Sequence, residues 1–319
     1  MGLTISDVVS SFGAYIDQGQ TAAKVNQAFI LPDNALVRLA RNIPTQNEVE
    51  RSVLGTQSRV AQAFKRKWSP LGDTTLKPHT ISLFKHKMDV DLYPDDVEKS
   101  WLAFMAGPGI KREEWPIGRY IAEVYLLPQY MSDIEMNERV SGVYAAPADD
   151  TTPANAGTAM NGLISILDAH ITASQITPFA TGALSSTPNT FVGQIEDFVE
   201  SIDPKVRKFI KSVQIPMEQM DIWKTGMQSL YNVNYQSEAD IMKVRNQSIR
   251  VELVEAQDGT DLIWATTDGN FVRYVKREKN AKAFEMQADK RLLNIFTDHW
   301  EGIGFNVPQF VFTNDEPFA

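Results

Sequence analysis

The chain has 319 residues, enough for one elaborated domain or two, and its 43% hydrophobic and 22% charged residues are typical of a globular protein. This composition excludes a disordered chain, a collagen and a coiled-coil rod, and no apolar run approaches the roughly 18 residues of a membrane helix. The absence of cysteine excludes disulfides, cysteine-bound metals and thiol nucleophiles, and the net charge of −9 disfavours a protein whose main task is to bind nucleic acid.

Residues 1–55 are predicted to form an arm of short elements. Apolar residues recur with helical spacing between Thr4 and Gln18, and Gly19 ends that pattern. Turns at Pro32 and before Pro44 interrupt the rest of the segment. We therefore expect an arm and not a separately packed unit.

Residues 56–88 are predicted to form a long β-hairpin. Two extended runs, Gln57–Trp68 and Thr75–Met88, flank a cluster of turn-forming residues at 69–73. Twelve extended residues span roughly 40 Å, whereas a compact chain of this length has a radius of gyration near ~20 Å. Such a hairpin either crosses the body of the protein or projects from it.

The charge of this hairpin is unusual, and it favours projection. Seven bases face a single acid, Asp73, in a chain that is otherwise acidic. The hairpin could be a solvated loop, or a nucleic-acid contact in which Phe64 and Trp68 lie among the charges. We favour docking onto an acidic neighbouring copy, which gives such a costly hairpin a purpose. The candidate docking residues are Arg59, Lys65, Arg66, Lys67, Trp68, Lys77, Lys85 and Lys87.

Two helices are predicted next. The first covers Asp95 to Ala106, with Pro94 near its first turn. The second runs from Glu113 to about Val140, and Pro128 inside it predicts a kink or a break. Its predicted buried stripe, at spacings of three and four, is Ile121, Val124, Leu127, Met131 and Ile134.

The second half of the chain alternates helices with strands. Residues 145–162 are mostly small and predict a flexible connection. Helices over Phe191–Ile202 and Met217–Tyr231, with a strand between them, predict a second small core. Strands at Leu262–Thr267 and Phe271–Arg277 flank Asp268-Gly269-Asn270, which predicts a tight hairpin. The remainder reads as extended chain, ending in a strand near Phe312.

The sequence contains no recognisable catalytic motif. It has no phosphate-binding loop of the G-x-x-x-x-G-K-[ST] or G-x-G-x-x-G type, and no G-x-S-x-G element. Its four histidines lack metal-site spacing, and His79 and His86 are predicted to be solvated on the basic hairpin. The acidic run that begins at Asp89 lacks the glycine and terminal glutamate of a calcium loop. We therefore expect no catalytic residue, no cofactor and no bound metal.

The order of elements carries a resemblance. The arm, basic hairpin, long helix, the segment Asn161-Gly162-Leu163-Ile164, a mixed α/β module and the final strands through Trp300–Pro308 resemble tailed-bacteriophage major capsid proteins, which have the Hong Kong ninety-seven fold. The resemblance implies an α+β fold. By position it implies an N-terminal arm at 1–55, an extended loop at 56–88, a peripheral domain with a spine helix at 89–165, an axial domain at 166–275 and a returning β-ribbon at 276–319.

The resemblance also implies a function and partners. The chain would assemble with itself, as hexamers and pentamers, into an icosahedral shell that encloses double-stranded DNA without sequence-specific binding. A portal protein would be a further partner. Because the arm is short, scaffolding would come from a separate protein or be absent, and decoration proteins could be added. The protein would be found in the virion, after assembly in the host bacterial cytoplasm, with no role for a membrane.

Three alternatives remain open from sequence. An encapsulin-like nanocompartment would keep the fold and enclose a protein cargo in place of DNA. An unrecognised hydrolase would use carboxylates as its working groups. A single-stranded nucleic-acid binder would use the basic hairpin, although the net charge disfavours it.

Overall fold

The computed structural model describes residues 8–10, 35–107, 117–149, 151–231, 241–245, 247–276, 285–290 and 292–315. Of the helix predicted between Thr4 and Gln18, only residues 8–10 are described, and they are helical. The described chain mixes helices with three β-sheets, which confirms the α+β fold class. No helix in this part of the chain is both long and apolar enough to span a bilayer.

The helices occupy five longer segments and two short ones. They are α1 (Ala35–Leu39), α2 (Pro94–Met105), α3 (residues 117–138), α4 (Leu163–Thr172), α5 (Pro188–Ser201), α6 (Pro204–Arg207) and α7 (Met220–Tyr231). Helix α2 matches its predicted bounds to within a residue. Short 3₁₀ turns lie at Met217–Gln219, directly before α7, and at Glu255–Gln257, directly after β6.

Eleven strands are described. They are β1 (Arg41–Thr45), β2 (Val49–Gln57), β3 (Thr74–Ser82), β4 (Phe84–Leu92), β5 (Ile210–Pro216), β6 (Arg250–Val254), β7 (Trp264–Thr267), β8 (Phe271–Lys276), β9 (Glu285–Asp289), β10 (Leu292–Phe305) and β11 (Val311–Thr313). A five-stranded sheet has the order β1-β8-β10-β4, with β9 also paired to β10. A four-stranded sheet has the order β11-β7-β5-β6, and β2 pairs with β3 alone.

The long hairpin exists, but its predicted strand bounds are wrong. The first strand is β2, and it ends at Gln57, where the prediction began it. The second predicted strand, Thr75–Met88, divides at Leu83 into β3, which pairs with β2, and β4, which pairs with β10. The buried positions change parity at this break, from Ile81 and Leu83 to His86, Met88 and Leu92. The buried face therefore switches at the point where the partner strand changes.

The hairpin predicted around Asp268-Gly269-Asn270 is also wrong. A turn does form there, with the Asn270 amide donating to the Thr267 carbonyl. Its two flanking strands then separate, since β7 joins the four-stranded sheet and β8 joins the five-stranded sheet. The Asn270 side chain donates to Thr266 Oγ1 and the Val307 carbonyl, which fixes the turn between the sheets.

Helix α3 contains Pro128 and still runs without a break. Its segments are α-helical at Ile117–Tyr120, π-helical at Ile121–Leu126, α-helical at Leu127–Asp133 and π-helical at Ile134–Glu138. The π turn before Pro128 accommodates a residue that has no N–H and whose ring would crowd the preceding turn. The extra residue also rotates the buried face. Val124, predicted to be buried, is exposed, while Leu126 and Tyr130 are buried.

Three apolar clusters form the core. One lies between α2, α3 and the five-stranded sheet, and a second lies between α5, α7 and the four-stranded sheet. The third joins the two sheets through the rings of Trp264, Phe271 and Phe305, whose centroids are 5.2 to 5.8 Å apart. The small-residue loop after α3 is anchored, because the Glu138 carboxylate accepts from the Gly157 and Ala159 amides.

A buried ion-pair network fastens α3 to the five-stranded sheet. Arg139 of α3's C-terminal end binds Glu301 of β10 through two N–O contacts of 2.7 and 3.0 Å, and it contacts Glu135 at 2.7 Å. Arg273 of β8 binds the same Glu301 carboxylate at 2.6 Å. Arg139, Arg273 and Glu301 have no exposed surface. Burial alone raises the pKa of Glu301, but the two guanidinium groups hold it well below its usual range.

Removing the Glu301 charge should destabilise the subunit strongly. A Glu301→Gln variant leaves two buried guanidinium groups around one remaining carboxylate, and such a loss costs about 3–5 kcal/mol. Urea unfolding of the unassembled subunit measures it. The matched control is Glu123→Gln, which breaks a more exposed i,i+4 pair with Arg119 and should cost only about 0.2–0.5 kcal/mol. Equal costs for the two variants would contradict this account of the network.

Candidate functional site

The β2–β3 hairpin is the candidate functional element, because it pairs with neither of the other sheets. Nine residue pairs, from Val49–Ser82 to Gln57–Thr74, give it a length of about 30 Å. Its base is seated against β10. A Cβ atom on Gly302 would lie 2.4 Å from the Ser82 carbonyl oxygen, so glycine is required for this close approach.

Hydrogen bonds across the loop give residues 58–73 a defined shape at the far end of the hairpin. The Ser58 amide donates to the Asp73 carbonyl at 3.2 Å, and Ser58 Oγ accepts from the Asp73 amide at 2.8 Å. Closer to the tip, Gln62 Nε2 donates to the Ser69 carbonyl at 2.6 Å. Gly72 supports the return with a φ of 96°, a value that disfavours other residues. These contacts confine residues 63–68 to a short tip.

The tip combines solvent-exposed aromatic rings with positive charge. Phe64 and Trp68 are each 92% exposed, an extreme value for side chains of this size. Lys65, Arg66 and Lys67 lie between them and are exposed too. The loop has a net charge of +3, and because the whole chain carries −9, the remainder carries −12. A surface of this kind fits an acidic partner that offers apolar contacts.

Five of the eight predicted docking residues lie in the loop, and three do not. Arg59, Lys65, Arg66, Lys67 and Trp68 occupy residues 58–73, while Lys77 belongs to β3 opposite Leu54. Lys85 and Lys87 lie on β4 in the five-stranded sheet, outside the β2–β3 hairpin. Lys85 pairs with Asp298 at 2.7 Å and Lys87 with Asp89 at 2.8 Å, and both bases stay exposed, so their part in docking stays a prediction.

Sequence reasoning left Phe64 out of the docking set. Its signal was present, since Phe64 and Trp68 flank three consecutive bases in a segment without a buried face. Phe64 was noted only beside Trp68, as part of a possible nucleic-acid contact. In the loop, Val60 and Leu71 are also exposed, which extends the apolar character of the surface.

The histidines do not make a metal site. Within the described ranges, no three residues of the histidine, cysteine, aspartate and glutamate types are grouped to hold an ion. The prediction that His86 is solvated on the hairpin is wrong, since it lies on β4 and is 3% exposed. His79 and His170 line a cavity of about 340 Å³ at the base of the hairpin, where burial lowers the pKa of both.

The fold matches solved structures of shell proteins. A chain of the procapsid of satellite phage P4, whose structure includes the size determination protein Sid, is similar over 98% of both chains, with a TM-score of 0.60 and 9% identity. The capsid of the Myoviridae phage XM1 matches at a TM-score of 0.55 and 10% identity, over 86% of this chain and 88% of that one.

An encapsulin has a similar fold as well. The SrpI encapsulin complex from Synechococcus elongatus PCC 7942 matches at a TM-score of 0.50 and 10% identity, over 91% of this chain and 90% of that one. No protein-family model and no curated protein sequence matches this chain. At these identities the likeness establishes the fold, and the assignment of function depends on the hairpin.

Trypsin should cut the unassembled subunit first in the tip. Arg59, Lys65, Arg66 and Lys67 lie in an exposed loop held by few hydrogen bonds, and such loops are preferred sites of nicking. Mass spectrometry of fragments from a brief digestion locates the cuts. A variant with these four residues changed to glutamine should resist that first cleavage. First cuts elsewhere in the described chain would contradict the exposure of the tip.

Proposed function

We propose that this chain is a major capsid protein of the Hong Kong ninety-seven fold, which assembles into the icosahedral shell around a double-stranded DNA phage genome. The likeness to the P4 procapsid chain over 98% of both chains supports the fold part of this proposal. The observation that carries the function is the tip, where Phe64 and Trp68 stand 92% exposed among three bases. A protein acting alone gains nothing from such a surface.

The mechanism of assembly follows from the shape of the subunit. A hairpin that docks on a different surface of the next copy makes a heterologous contact, and repeated heterologous contacts close into rings. Phe64 and Trp68 would supply the buried aromatic anchors that dominate most interfaces, while Lys65, Arg66 and Lys67 would select an acidic surface and fix the register. Exposed carboxylates for such a surface exist on β4 and at the start of α2, at Asp91, Asp95 and Asp96.

The domain roles follow the same proposal. Helices α2 and α3 with the five-stranded sheet would form the peripheral domain, and α3 would be its spine helix. Helices α5 and α7 with the four-stranded sheet would form the axial domain, which faces the centre of each hexamer or pentamer. The chain would then leave the axial domain at the turn before Phe271, because β8 lies in the five-stranded sheet, and would return to it through β11.

Further partners are proposed on the same basis. A portal protein, a separate scaffolding protein and decoration proteins would complete the particle, with assembly in the host cytoplasm and the mature protein in the virion. No catalytic role is proposed. The enclosed DNA would be held without sequence-specific contacts, since the acidic remainder of the chain does not favour a tight grip on phosphates.

An encapsulin-like compartment is the second candidate, supported by the SrpI match over 91% of this chain. Both candidates predict closed shells built from the same hairpin contact. They differ in what the shell encloses. Purified particles that contain nuclease-protected DNA would support the capsid, and particles that enclose a protein and no DNA would support the compartment.

Reversing the tip charges should block assembly and spare the subunit. A Lys65→Glu, Arg66→Glu, Lys67→Glu variant should melt within about 1 kcal/mol of the natural subunit, because exposed charges contribute little to folding. Shell yield should fall sharply, because the lost contact recurs in every copy. Sedimentation and negative-stain electron microscopy measure the yield, and circular dichroism measures the melting.

The matched control reverses three exposed bases elsewhere, at Lys205, Lys208 and Arg250, and so makes the same change in net charge. This control should assemble better than the tip variant. If the tip variant forms shells in normal yield and at normal salt resistance, the docking mechanism is wrong. If its shells form normally but retain less DNA, the hairpin contacts nucleic acid instead.

A further inference from the structure

Two histidines lie inside the joint between α3 and the five-stranded sheet. His86 of β4 and His299 of β10 are directly opposite each other in the antiparallel pairing of these strands. Their rings are stacked, with centroids 5.0 Å apart and planes inclined by 24°. His86 is 3% exposed, so the pair has been taken almost entirely out of water.

The pair connects the helix to the buried ion-pair network. His299 Nδ1 lies 2.8 Å from the Tyr130 hydroxyl of α3, and His299 Nε2 lies 3.4 Å from Glu301 Oε2. The Tyr130 ring also meets the His299 ring edge-on at 5.6 Å. His86 is therefore linked to helix α3 by two direct contacts, first between the His86 and His299 rings and then between His299 and the Tyr130 hydroxyl.

The charges around the pair are already balanced. The groups that face it are Tyr130 and Arg139 from the α3 side, Arg273 from β8, and Glu301 from its own sheet, and Arg139 is paired in turn with Glu135. Two guanidinium groups and two carboxylates sum to zero, and Asp298 on the sheet's other side pairs with Lys85. A proton on either imidazole would place an uncompensated charge beside two arginines, in a site without water to screen it.

The carboxylate that could accept a hydrogen bond from a protonated imidazole is already occupied. Glu301, whose Oε2 lies 3.4 Å from His299 Nε2, already accepts from both Arg139 and Arg273. His86 Nε2 is buried and has no hydrogen-bond partner within the described residues. A protonated His86 would thus carry two donors where the surroundings offer no free anion.

We propose that the His86–His299 pair makes the joint between α3 and the five-stranded sheet a proton-operated latch, closed while both imidazoles are neutral and released when His86 is protonated. The latch belongs to the single subunit, so it goes beyond the capsid proposal and stands whether or not the chain forms shells. The trigger is a fall in pH, and the moving part is the long helix.

The direction of the pH effect follows from the pKa shifts. Burial, and to a smaller extent the neighbouring His299, lower the pKa of His86 from 6.5 to about 3, and burial also lowers the pKa of His299. Because the folded pKa lies below the unfolded one, the unfolded state takes up protons first as the pH falls. The latch's stabilisation is complete above about pH 6.5 and is lost progressively below it.

The test compares the natural subunit with His86→Phe, which keeps a planar ring against His299 and cannot be protonated. Because the pKa of His86 is lowered from 6.5 to about 3, His86 should make the unfolding equilibrium constant rise about 25-fold more between pH 7 and pH 5 than it does in a subunit that lacks this histidine. Urea unfolding at the two pH values gives this ratio, and the His86→Phe variant should lose it. Carboxylates contribute little in this window, since their unfolded pKa values lie below it.

Hydrogen exchange locates the effect. At pH 5, after correction for intrinsic rates, amides of α3 should lose protection in the natural subunit and keep it in His86→Phe. His170→Gln is the matched control, because His170 lies in the separate hairpin-base cavity and its loss should leave the release of α3 unchanged. Loss of protection spread evenly over the whole subunit, or none at all, would overturn the latch.

A measurement on the natural protein covers the case in which the variant does not fold. In a proton NMR titration, the ring signals of His86 and His299 should stay at their neutral positions until α3 signals begin to change. Ring protonation near pH 6.5 with α3 undisturbed would also overturn the latch. Altered shell formation is not a readout here, so failure of the latch and failure of the capsid proposal are distinguishable.

Discussion

The contact between Glu301 and two arginines is the constraint on which the rest of this fold depends. Arg139 comes from α3, Arg273 from β8 and Glu301 from β10, and all three side chains are fully buried. Charges so deep in a protein are tolerated only when each is paired and hydrogen-bonded. The helix, the sheet and α1, whose Leu36 amide donates to Glu135 at 2.9 Å, must therefore adopt one relative arrangement.

This rigid joint explains how a thin hairpin can act at a distance. The two strands of the hairpin pair only with each other, and the base packs against β10 next to Glu301, where Gly302 allows backbone to touch backbone. A fixed base gives the tip a defined direction without a core of its own. The same compact joint also contains His86 and His299, so the proposed response to acid would act on the contacts that fix the helix to the sheet.

Local features of this chain could be predicted because they depend on neighbouring residues. Helix α2 begins at a proline and has acids in its first turn, and its bounds were predicted closely. The basic, aromatic tip was identified from composition between Phe64 and Trp68. Helix α3 was found too, and Ile121, Met131 and Ile134 of its predicted stripe are buried. Val124 is exposed, because it lies in the π turn before Pro128, which leaves no simple pattern in the sequence.

The sequence by itself determined where most helices lie, where the positive charge gathers, and that no familiar catalytic motif is present. Only the tertiary structure decided which strands pair. Alternation marks a buried face and carries no label for a partner, so β3 and β4 read as one strand, and β7 and β8 as one hairpin. Only the tertiary structure brought Arg139, Arg273 and Glu301 together, because the burial that makes their attraction strong exists only after folding.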